Sequence, residues 1–181
     1  MTASAVRSYD HAEPRAFATP VRVLLVDDHD GVRTVTTAML REFGFEVVPV
    51  ADATEALLAV CVDLFDLVLM DINLPDSSGL EMTGMLKAQS GCADLPVIAF
   101  TGGEPDSMRR QALDAGMQDL LSKPFQPAEL RAMVERWARL PASPRPDRTA
   151  GAAGTAADAE ALLRPFARRA RDLLAQWRSE S

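Results

Sequence analysis

Apolar residues follow two alternating rhythms along this chain. Short unbroken runs, Val23-Leu24-Leu25-Val26, Leu67-Val68-Leu69-Met70 and Val97-Ile98-Ala99-Phe100, are separated by segments whose apolar residues recur every three or four positions. An unbroken run of that length reads as a strand covered on both faces, and the slower rhythm reads as an amphipathic helix. The pattern predicts a strand over 21–27 and a helix over 30–43 with Val32, Val35, Met39, Leu40 and Phe43 on one face. A strand over 45–50 and a helix over 53–64 follow, the latter with Ala56, Leu57, Val60 and Leu64 inward. Next come strand 66–71, helix 79–89, strand 95–101, helix 106–115 and strand 117–122. The last element of the series is a helix over 127–140 with Leu130, Met133, Val134 and Trp137 inward. Pro49 cannot donate to a ladder, so the 45–50 strand belongs at an edge. Gly44 and Gly116 stand where the first and fourth helices must stop.

Alternating strands and helices predict an α/β fold, a parallel sheet covered by helices on both faces. Five strands fit the doubly wound, flavodoxin-like order 2-1-3-4-5, with the switch point between the first and third strands.

On this reading the first strand ends at Asp27-Asp28 and the third at Asp71. The fourth ends at Thr101-Gly102-Gly103, and the fifth at Lys123-Pro124. Ligands of open parallel sheets bind beyond the carboxyl ends of the strands, so these groups are expected to share one crevice. Three carboxylates repel one another unless a cation sits among them. A few hard oxygen ligands suit Mg2+. An ammonium and a hydroxyl beside it offer donors to phosphoryl oxygens. The set therefore reads as a Mg2+-assisted phosphoryl-transfer site with Asp71 as nucleophile. A plainer role for Asp27 or Asp28 is to cap the 30–43 helix. His29 reads as an exposed histidine at a helix start rather than a metal ligand.

The outer segments differ in composition. Residues 1–20 lack an apolar core and read as a disordered arm, not a signal peptide. Pro141, Pro144, Pro146, Gly151 and Gly154 mark a linker over 141–157. An amphipathic helix is expected over 158–181, and it could pack on its own domain or pair with a second copy. Its arginines outnumber its acids too slightly to argue for nucleic acid or an anionic membrane. The formal net charge of −7 also speaks against non-specific nucleic-acid binding. Cys61 and Cys92 lack metal-ligand spacing and read as reduced thiols. No apolar run approaches a membrane span, so a cytoplasmic location is expected. Met1 is expected to open a whole chain rather than the receiver end of a larger hybrid kinase.

The segments Val26-Asp27-Asp28, Met70-Asp71-Ile72-Asn73-Leu74-Pro75 with Gly79-Leu80-Glu81, Thr101-Gly102, and Lys123-Pro124-Phe125 occur in that order at strand ends. Together they resemble the receiver domain of two-component response regulators (CheY-like), over about 21–140. The resemblance implies that Asp71 accepts a phosphoryl group from a histidine kinase or a histidine phosphotransfer protein. It implies that Asp28 binds Mg2+ directly and Asp27 through water, with Asp71 and the backbone carbonyl of Asn73 as further ligands. Thr101 and Lys123 would hold the phosphoryl oxygens, helped by the backbone N–H groups of Asn73 and Gly102. One position departs from the pattern. Members often carry Tyr or Phe three residues before the lysine, as a side chain that rotates inward; here that residue is Leu120. Output is then expected through the fourth helix, fifth strand and fifth helix, by movement of Thr101 and the backbone.

The expected function is a signalling receiver that works by protein contacts, without a DNA-binding output domain, and is not itself an enzyme beyond assisting its own phosphorylation and dephosphorylation. One alternative is a pseudo-receiver that binds partners and never takes phosphate. Another is a Mg2+-dependent phosphatase with an aspartyl-phosphate intermediate. Such phosphatases carry the nucleophile on the first strand and a second Asp two residues later. Here the nucleophile is on the third strand and the second position is Asn73, which cannot act as a general acid.

Overall fold

The computed structural model describes residues 20–75, 77–89, 91–102 and 105–138. Of the expected arm over 1–20 only Pro20 is described, and the expected linker over 141–157 and helix over 158–181 lie outside the described residues. The elements run β1 (Arg22–Val26), α1 (Asp30–Glu42), β2 (Glu46–Val50), α2 (Ala53–Val62), β3 (Leu67–Asp71), α3 (Gly79–Lys87), β4 (Val97–Thr101), α4 (Pro105–Asp114), β5 (Asp119–Ser122) and α5 (Pro127–Trp137). The strands form one parallel sheet in the order β2-β1-β3-β4-β5, the doubly wound arrangement expected from the sequence.

Successive strand residues point to opposite faces, so each unbroken apolar run feeds two layers. Leu24, Val26, Val68, Met70, Val97, Ala99 and Leu120 pack with Ala53, Ala56 and Leu57 of α2, Met82 and Leu86 of α3, and Ala112 of α4. Val23, Leu25, Leu67, Leu69, Ile98, Phe100 and Leu121 pack with Leu40 of α1 and Leu130 and Val134 of α5. Strand β2 lies at the edge, where Pro49 sits opposite Leu25. Gly44 closes α1 with φ +87°, a left-handed conformation that glycine adopts without Cβ strain.

Local chemistry fixes several helix ends. The Asp52 side chain accepts the backbone N–H of Glu55 at the start of α2, and Glu55 reaches back to the N–H of Ala51. The Ser78 hydroxyl accepts the N–H of Leu80 at the start of α3. Gln126 and Glu129 form a reciprocal capping box ahead of α5.

Two helix faces differ from expectation. Val35 is 52% exposed, while Thr36 and Thr37 are buried. With Leu40 fully buried, the positions four and three residues earlier share its face. Val35, five residues earlier, does not. The Thr36 and Thr37 hydroxyls have no hydrogen-bond partner. In α2, Leu64 lies beyond the last turn and is only half-buried.

Candidate functional site at the carboxyl edge of the sheet

Asp27 follows the last residue of β1 and Asp71 is the last residue of β3, and these strands are neighbours. Lys123 follows β5 directly. Its Nζ lies 2.5 Å from Asp27 Oδ2 and 2.6 Å from Asp71 Oδ2. Asp27 is fully buried and Asp71 nearly so. One ammonium thus bridges two carboxylates carried by different strands. The second Asp27 oxygen accepts the backbone N–H of His29 at 2.9 Å. The second Asp71 oxygen accepts the backbone N–H of Asn73, also at 2.9 Å.

Asp28 completes the acidic group. One ligand atom each from Asp27, Asp28, His29 and Asp71 lie within 4.8 Å of one another. Asp28 Oδ1 is buried and accepts no hydrogen bond, although His29 Nδ1 is 2.7 Å away. Neither aspartate caps α1 through its side chain: His29 occupies the N-cap position, without a side-chain cap bond. The capping role considered for Asp27 and Asp28 is therefore corrected. His29 is exposed at the helix start, as expected, and also stands beside the acids. A buried carboxylate oxygen with no hydrogen bond and only the His29 ring nitrogen beside it, among clustered hard ligands, fits a small divalent cation.

Thr101 is the last residue of β4 and is fully buried. It pairs in register with Ser122, and its carbonyl accepts the N–H of Lys123 at 2.7 Å. Thr101 and Lys123 are therefore brought to the same end of the sheet as Asp71, one strand and two strands away. Gly102 is exposed with open space where a Cβ would stand. Gly103 lies outside the described residues. Leu120 is buried in the α2/α3/α4 layer and fills the position where a rotating aromatic was sought.

Three contributions are absent from the sequence reading. The Arg33 guanidinium donates to the backbone carbonyl of Asp27 at 2.6 Å and also pairs with Asp30, tying α1 to the end of β1. Gly79 opens α3 against the Asp71 peptide: its N–H donates to Ile72 O at 2.8 Å, and an added Cβ would stand 2.1 Å from Asp71 O. Only a residue without a side chain permits that approach. The third is the Phe100 ring, whose centroid lies 4.5 Å from Lys123 Nζ. A glycine at a helix start and an aromatic in a strand carry no such information by themselves; only the fold brings them to Asp71 and Lys123. The Lys123–Pro124 peptide bond is cis.

At the other edge, before β4, burial acts on ionisable groups of the described residues. Burial lowers the Lys87 ammonium below its ordinary range, against the opposing pull of Asp94 and Cys92. Burial raises the Cys92 thiol, with Cys61 adding to the rise and Lys87 opposing it. Both cysteines are free, Cys61 buried and Cys92 half-buried. Among the described residues no helix is long and apolar enough to cross a membrane.

Comparison with known proteins agrees with this geometry. Residues 23–135 match the family model of the response regulator receiver domain. The chain is 34% identical over 131 residues to the sensor protein GacS of Pseudomonas syringae, covering 70% of this chain and 14% of that protein. It is 36% identical over 113 residues to the DNA-binding response regulator MtrA of Mycobacterium tuberculosis, covering 62% of this chain and 48% of that one. The chain thus spans less than half the length of both relatives. Among solved structures, it resembles the receiver domain of the sensor histidine kinase PA1611 of Pseudomonas aeruginosa. That match has 38% identity and a TM-score of 0.62, and covers 66% of this chain and 98% of that one. The PA1611 structure has a magnesium ion coordinated in its active-site cleft. The chemotaxis protein CheY4 of Vibrio cholerae matches at 28% identity and TM-score 0.63, over 66% of this chain and 99% of its own. With the family model covering more than half its length, this chain belongs to the response regulator receiver family, the phosphoacceptor signalling modules of two-component systems.

Proposed function

We propose that Asp71 accepts a phosphoryl group from a phosphohistidine of a histidine kinase or phosphotransfer protein, and that the phosphorylated domain signals through protein contacts. The observation that carries this reading is the single ammonium of Lys123 held between Asp27 and Asp71. A structural ion pair needs one carboxylate, and burying a second beside it is costly unless the site serves another charge. In the transfer, an Asp71 oxygen attacks phosphorus as the P–N bond of the donor breaks. The imidazole nitrogen leaves with the bonding electron pair and takes up a proton. Lys123 and the Thr101 hydroxyl offer donors to the phosphoryl oxygens, and the N–H groups of Asn73 and Gly102 supply two more.

Asp27, Asp28, Asp71 and the backbone carbonyl of Asn73 are the groups that would hold Mg2+. The bound ion would neutralise charge on the transferring group. The chain's own part is positioning. Arg33 holds the end of β1, Gly79 lets the start of α3 approach the Asp71 peptide, and Lys123 balances two carboxylates until a phosphoryl group arrives. On this reading the domain works in the cytoplasm. It is a phosphoacceptor that assists its own phosphorylation and dephosphorylation, not an enzyme acting on other substrates.

Leu120 favours a second reading, a binding module that never takes phosphate. Adding beryllofluoride with Mg2+ separates the two. The proposal expects the NMR resonances of Asp71 and Thr101 to shift, and the shift to vanish in Asp71→Ala. A wild-type spectrum unmoved by the mimic would leave the binding-module reading standing instead.

A further inference from the structure

The aromatic missing from β5 has a counterpart in β4. Phe100 immediately precedes Thr101 and pairs in register with Asp71. Its ring is fully buried in the α1/α5 layer, opposite the face that holds Leu120. The ring carries Lys123 Nζ 4.5 Å from its centroid. On the same layer it meets Phe125, with centroids 5.0 Å apart and planes inclined at 50°. Phe125 directly precedes Gln126, the N-cap of α5.

Lys123 therefore has three partners: two carboxylates and one ring face. The negative face of an aromatic ring attracts a cation at this range, more strongly when water is excluded. We propose that Phe100 is a positioning residue for Lys123. We further propose that the Phe100–Phe125 pair conveys the lysine's position to the start of α5. This second part rests on the reading of Asp71 as phosphoacceptor. A phosphoryl group on Asp71 gives the ammonium a new anionic partner. Turning toward it, Lys123 uncovers the ring. A close-packed layer does not tolerate the void, so Phe100 and Phe125 repack and the N-terminus of α5 moves with them. Leu120 has no ring with which to do this on the other face. The outcome is a signal directed to the α1/α5 side of the domain.

The test uses the full chain and NMR of side-chain resonances. Phe100→Leu keeps an apolar residue of similar bulk while removing the ring. Ile98→Val, on the same strand and face, is the control for general loosening of this layer. In the resting protein, the Lys123 ε-protons experience the ring current of Phe100. They should move downfield in Phe100→Leu and stay in place in Ile98→Val. With beryllofluoride and Mg2+, the shift of the Phe125 ring resonances should be largely lost in Phe100→Leu. It should keep its wild-type size in Ile98→Val. Unmoved Lys123 protons in Phe100→Leu overturn the positioning role. A Phe125 response of equal size in wild type and Phe100→Leu overturns the coupling alone. A wild type silent to beryllofluoride overturns the coupling together with the phosphoacceptor reading, which separates the two failures.

Discussion

The two ends of the sheet handle carboxylates differently. At the amino edge Asp63, Asp66 and Asp119 each meet nearby donors. Asp66 accepts the backbone N–H of Arg22, and Asp63 pairs with the Arg22 guanidinium. Asp119 collects the Leu120 N–H, the Trp137 indole and the guanidinium groups of Arg109 and Arg136. At the carboxyl edge the supply is short. Asp27 and Asp71 share one ammonium, and Asp28 Oδ1 has no hydrogen bond. Structural acids are matched locally and outlast any ligand. A group of acids left short of positive charge is arranged for something that arrives.

That contrast can be broken most sharply by exchanging the acid on each edge for a neutral side chain. Asp71→Asn should abolish phosphorylation by acetyl phosphate, measured by phosphate-affinity gel, while leaving a folded domain. Asp119→Ala should leave phosphorylation near wild type. Equal losses from both variants would erase the distinction between the edges.

A second-largest effect is expected at Gly79. A Cβ there would stand 2.1 Å from Asp71 O and must push the acceptor's peptide away. Misplacement of about 1 Å costs on the order of 100-fold in positioned reactions. Gly79→Ala should lower the phosphorylation rate by about that factor. Gly84→Ala in the same helix, where nothing lies within 4 Å of the added Cβ, should not.

The fold was legible because unbroken apolar runs and Gly or Pro stops recur on a regular spacing, and Pro49 marked the edge. The site was legible for the same reason: Asp27, Asp71, Thr101 and Lys123 each end or directly follow a run, and a parallel sheet gathers such ends. What escaped are contacts set by the path of the chain. Gly79 meets the Asp71 peptide only because Asn73 bridges Ser78. Phe100 reaches Lys123 only through the β4–β5 pairing. Val35 reads as part of the inward face, yet Leu40 commits Thr36 and Thr37 to the core and leaves Val35 exposed.

Smaller effects sharpen the comparison in stability. Asp119→Ala removes the acceptor of several amino-edge donors and should cost about 1–3 kcal/mol in urea unfolding. Thr36→Val replaces an unpartnered buried hydroxyl by a methyl of similar shape. It should raise stability by about 1 kcal/mol, with no effect on phosphorylation. A loss of stability instead would mean that the Thr36 hydroxyl has found a partner.

The most direct test is intact-mass measurement after incubation with acetyl phosphate and Mg2+. The arrangement at the carboxyl edge predicts that the wild-type chain gains the mass of one phosphoryl group, that Asp71→Asn gains none, and that chelation of the cation suppresses the gain. A phosphoryl group appearing on Asp71→Asn, or no gain by the wild type with Mg2+ present, would contradict it.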